Sequence, residues 1–60
     1  MLVASSTKTQ SGDTVVLYRV PQEKVYVVTK TTDRNLIKSF DEYEEFDSAM
    51  KKYRQRVWEI

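Results

Sequence analysis

Cysteine and histidine are both absent from the 60 residues, and glycine and proline occur only once each. Without cysteine there is no disulfide and no thiolate metal site. Without histidine the commonest zinc ligand and the commonest general base near neutral pH are missing. Triads and dyads built on either residue are excluded. A single glycine, Gly12, also excludes the glycine-rich loops that cradle phosphates. No apolar run approaches the ~20 residues a membrane span needs. The apolar opening Met1–Ala4 has neither the basic segment nor the length of a secretory signal. The expected compartment is the cytoplasm, and no cofactor is expected.

Charge is balanced: ten basic and nine acidic residues leave a net +1, well short of the excess that marks a dedicated nucleic-acid binder. The hydroxyl residues Ser5, Ser6, Thr7, Thr9 and Ser11 have no base beside them and read as the solvated side of a strand. Glu42, Glu44, Glu45 and Asp47 crowd what looks like a helix start. There, capping and dipole roles outweigh metal binding or acid–base work. The expectation is that the chain is not an enzyme.

A chain of this length buries only about 60% of its unfolded surface, and domains so small gain stability from disulfides, metals or association. With disulfides and the commonest metal ligands excluded, either the packing is unusually good or self-association into a homodimer supplements it. Residues 1–60 read as a single small domain.

From Met1 to Phe40 the chain is rich in Val, Thr and Tyr, which suit a pleated surface. Turn signals at Ser11-Gly12-Asp13, Pro21–Lys24 and Thr32–Asn35 leave strands at about 2–10, 14–20, 25–32 and 35–40. Short connections make these an antiparallel meander of three to four strands. The period then changes. Tyr43, Phe46, Met50, Tyr53, Val57 and Ile60 recur every three or four residues, the stripe of an amphipathic helix. Asp41 stands at the N-cap position with Glu44 three residues on, so the helix is expected over about 42–58. The predicted architecture is α+β, with one C-terminal helix packed on one face of the sheet.

Pairing Val20 with Val25 across the central hairpin sets Val16, Tyr18, Val20, Val25, Val27 and Thr29 on one side. That nearly all-apolar side is expected beneath the helix. The predicted core is Tyr18, Val20, Val27, Phe40, Phe46, Met50, Tyr53 and Val57. The other side carries Val15, Leu17, Arg19, Tyr26, Val28 and Lys30. One helix covers one face, so apolar surface is left over, and such patches mark interfaces.

Two readings of function follow. In the first, Val15, Leu17, Tyr26 and Val28, together with Trp58 beside the helix stripe, bind an unidentified protein partner, and the chain is a small regulator or inhibitor. In the alternative, Arg19, Lys24, Tyr26 and Lys30 form a basic, aromatic sheet surface that holds nucleic acid. In size and lack of catalytic residue types the chain is similar to accessory proteins of viruses and plasmids that inhibit host enzymes.

Overall fold

The computed structural model describes residues 2–59. Four strands, β1 (Leu2–Lys8), β2 (Thr14–Val20), β3 (Val25–Thr31) and β4 (Ile37–Tyr43), precede one helix, α1 (Phe46–Trp58). The strands lie side by side in chain order, and every neighbouring pair is antiparallel. The fold is an α+β meander with its C-terminal helix packed on one face.

Each connection reverses the chain through one residue with positive φ: Gly12 at 90°, Lys24 at 56° and Asn35 at 65°. Glycine tolerates this region freely, asparagine comparatively well and lysine poorly. Thr32 reinforces the third loop, its hydroxyl accepting from the N–H groups of Arg34 and Leu36. These local devices fix the hairpins, and the central one has the register its alternation implies, with Val20 opposite Val25 and Tyr18 opposite Val27.

The boundary between sheet and helix differs from the expected one. The ladder of β4 on β3 continues through Asp41, Glu42 and Tyr43, opposite Val28, Val27 and Tyr26. Asp41 is therefore a strand residue, and Glu45 occupies the N-cap position without a side-chain capping bond. Strand pairing satisfies the backbone of residues 41–43, and alternation turns Tyr43 toward the helix side, where it packs on the core. The apolar spacing from Tyr43 to Phe46 spans a strand end and a helix start.

The covered face is also the opposite of the expected one. Val15, Leu17 and Val28 form the core with Ala49 and Tyr53, flanked by Tyr26, Tyr43, Met50 and Val57. Leu17 is 0% exposed. Of the predicted core, Tyr53, Met50 and Val57 do pack there. Tyr18, Val20, Val27 and Phe40 lie on the other face; of these Val27 is buried, as expected, at 2% exposure, and Phe46 is 42% exposed at the start of the helix. Ile60 lies outside the described residues.

Two polar contacts explain the choice. The Tyr53 hydroxyl reaches β1, where Ser5 donates to it at 3.0 Å and Thr7 also hydrogen-bonds to it. The alternate hydroxyls of the Ser/Thr run thus anchor the helix. Lys30 is only 3% exposed, and its Nζ donates to the carbonyl of Arg56 at 3.1 Å. That places a cation against the unsatisfied carbonyls and partial negative charge of the helix C-terminus.

Leu17→Ala is expected to cost about 2–5 kcal/mol, with a much smaller loss for Phe46→Ala because that ring is already partly solvated. Tyr53→Phe removes the link to β1 and is expected to cost about 1 kcal/mol. Urea unfolding of the three variants checks the order, and equal losses for Leu17→Ala and Phe46→Ala would contradict this packing.

Candidate functional site

The face away from the helix is organised in cross-strand rows. Val3, Tyr18, Val27 and Glu42 form one row; Ser6, Val16, Thr29 and Phe40 form the next. Lys8, Thr14, Thr31 and Ile37 form a third, and Val20 and Val25 close the far end beside the Pro21–Lys24 turn. None of these residues belongs to the core beneath the helix. Phe40 is 51% exposed, and Val3 and Ile37 are exposed as well. Val16, Tyr18, Val20 and Val25 are half-buried, and Val27 is buried. The result is a largely apolar face over which no described element packs, with Val27 sealed at its centre, Val3, Ile37 and Phe40 exposed around it, and Lys8 and Glu42 at its borders.

The residues expected to bind a protein partner are dispersed. Val15, Leu17 and Val28 are core residues with no accessible surface. Tyr26 is half-buried against that core and meets Phe46 edge-to-face, with ring centroids 5.4 Å apart. Trp58 alone is accessible, 82% exposed on the last turn of α1. It helps line a groove of about 540 Å³ between the helix end and the first hairpin, with Thr7–Ser11 opposite Val57 and Glu59.

The four residues of the nucleic-acid reading are occupied or scattered too. The Arg19 guanidinium lies 5.0 Å from the centroid of the Tyr26 ring, a cation–π contact. Tyr26 is half-buried, with Arg19 over its ring and Phe46 packed at 69° to it, which leaves little of the ring for a base to stack on. Lys30 is buried beneath the helix end, and Lys24 stands apart in its turn.

Charge gathers instead where sheet and helix end meet. Arg56 binds Asp41 at 3.2 Å and Glu59 at 3.1 Å, and Lys30 lies 3.5 Å from Glu59. At the mouth of the first hairpin Lys38 binds the largely buried Asp13 at 2.8 Å. The hydrogen bond from Lys38 lowers the Asp13 pKa, outweighing the burial that raises it. Arg56 lowers that of Glu59 in the same way. These groups are paired with each other and tie the elements together. Among the described residues no cluster of three acidic side chains could hold a metal ion, and no helix is long and apolar enough to cross a membrane.

The signal that could have located the accessible face lies in Arg19 and Lys30. Both look like markers of a solvated surface, yet one stacks on Tyr26 and the other sits at the helix C-terminus. A basic residue on a strand is as well placed beneath a helix end as in water. No protein-family model matches the chain, and neither a curated protein nor a solved structure matches it significantly.

The carboxylate pairings set the acid limb of stability. A pKa lowered in the folded state contributes stability above the unfolded value, and that contribution is lost as pH falls through the folded value. The thermal midpoint is therefore expected to fall on acidification through and below the ordinary carboxylate range. Asp13→Asn is expected to lower the midpoint at neutral pH and flatten that decline. An Asp13→Asn profile parallel to wild type would remove the Lys38 pairing from the account.

Proposed function

We propose that the chain is a non-catalytic protein-interaction module, a small regulator or inhibitor, that binds through the sheet face opposite α1. The observation that carries this reading is the apolar surface of Val3, Val16, Tyr18, Ile37 and Phe40 around the buried Val27, with no described element over it. Water-exposed sheet faces ordinarily alternate apolar-in with polar-out. Here the outward positions of the two central strands are Val16, Tyr18, Val20, Val25 and Val27, relieved mainly by threonine. Apolar surface of this kind marks protein contacts, and a valine-rich sheet face carrying Tyr18 and Phe40 suits another protein surface better than a small ligand. The occupied surfaces of Arg19, Tyr26 and Lys30 weigh against nucleic acid.

The test is a crosslinking capture with wild type, Phe40→Asp and Arg19→Gln, each with and without nuclease. Capture of protein, the chain itself included, that survives nuclease, persists in Arg19→Gln and disappears in Phe40→Asp is the expected outcome. Identical capture by wild type and Phe40→Asp, or recovery of nucleic acid that Arg19→Gln abolishes, would contradict it.

A further inference from the structure

We propose that the occupant of the open sheet face is a second copy of this chain, packed face to face as a two-fold dimer; this rests on the interaction reading above and names its partner. Three observations converge on it.

The first concerns the edges, the other route by which sheets associate. Both edge strands carry a register irregularity: β1 between Val3 and Ser5, and β4 where Ser39 and Ile37 meet Lys30 and Thr31. Lys38 at the second irregularity is held by Asp13. Bulges and edge lysines interrupt the straight ladder that strand addition requires, so the faces, not the edges, are left to associate.

The second is area. Seven-residue strands, four abreast, give a face of about 23 by 19 Å from the standard rise and strand spacing. That is roughly 440 Å² per copy, or about 900 Å² for a pair before side-chain relief is counted, close to the ~1,000 Å² a specific interface must clear. A face just under that size suits a weak, reversible dimer.

The third is charge. The face carries one cation, Lys8 at the hairpin end of β1, and one anion, Glu42 near the opposite end of β4. Neither has an ion-pair partner among the described residues. They stand at diagonally opposed corners. A strongly acidic or basic partner finds no matching field there, whereas the face is complementary to itself. A two-fold axis between the sheets, perpendicular to that diagonal, sets Lys8 of each copy against Glu42 of the other. The strands then cross steeply, as in orthogonal sheet packing.

Sedimentation equilibrium of the untagged protein tests this. Wild type is expected to shift from the monomer mass to twice that mass as concentration rises through the micromolar range toward about 1 mM. Phe40→Asp is expected to stay monomeric with an unchanged far-ultraviolet dichroism spectrum. Trp58→Asp, which is off the face, should dimerise as wild type does. Lys8→Glu should weaken the dimer several-fold, and adding Glu42→Lys should restore it. Wild type that stays monomeric at about 1 mM overturns the second copy as occupant. The interaction reading then stands or falls separately, on whether Phe40→Asp abolishes crosslinked capture of a different protein. A dimer that survives Phe40→Asp and is lost in Trp58→Asp overturns both, because it places the contact at the helix groove. Failure of Glu42→Lys to restore Lys8→Glu overturns the two-fold arrangement.

Discussion

One helix has to serve a sheet that is apolar on both faces, and that mismatch governs the rest of the structure. Thirteen residues of α1 extend about 20 Å, enough to lie across one side of four short strands and no more. The covered side receives Ala49 and Tyr53 against Val15, Leu17 and Val28. Ala49 lets the helix approach closely, and Tyr53 fills the space over β1, where the strand offers only Ser5 and Thr7. What remains on the other side is a band of valines with Tyr18 and Phe40. Its cost of exposure is the force that would draw a partner onto it.

Polar residues decide which side the helix takes. The more apolar face offers a helix a place to rest but no partner of this kind for its charged end. The covered face supplies both, since Lys30 donates to the carbonyl of Arg56 and Asp41 receives the Arg56 guanidinium. A buried cation is costly unless paired and hydrogen-bonded, and Lys30 meets that condition at the point where the helix has acceptors without donors. The more polar of the two faces is therefore the better floor for the helix, and the more apolar one is left for association.

Much of the fold is legible in the residue pattern because it rests on local chemistry. Gly12, the Pro21–Lys24 turn and Asn35 mark the three reversals, and alternation sets the central register with Val20 opposite Val25. The helix stripe through Met50, Tyr53 and Val57 follows from spacing alone. The start of the helix is not legible in this way, since Asp41 and Glu44 make an acceptable cap while residues 41–43 are also able to extend a ladder on β3. The choice depends on a neighbouring strand, not on the segment. The covered face is illegible for a related reason: periodicity sorts residues into two sides without saying which side meets the helix. Ranking the sides by apolarity favours the wrong one, because Arg19 and Lys30 count against a face on which each has a structural partner. Apolar surface left uncovered by a lone helix is legible in both assignments, but its address is not.

The measurement that bears most directly on this account is thiol labelling of two adjacent single-cysteine variants, Val15→Cys and Val16→Cys, at a protein concentration low enough to keep the chain monomeric. The chain has no cysteine of its own, so each label reports one position, and valine to cysteine changes little volume. The account predicts fast labelling of Val16→Cys and labelling of Val15→Cys at least about a hundredfold slower, limited by opening of the helix from the sheet. The reverse order would place the helix on the other face and contradict the architecture on which the proposed interface depends.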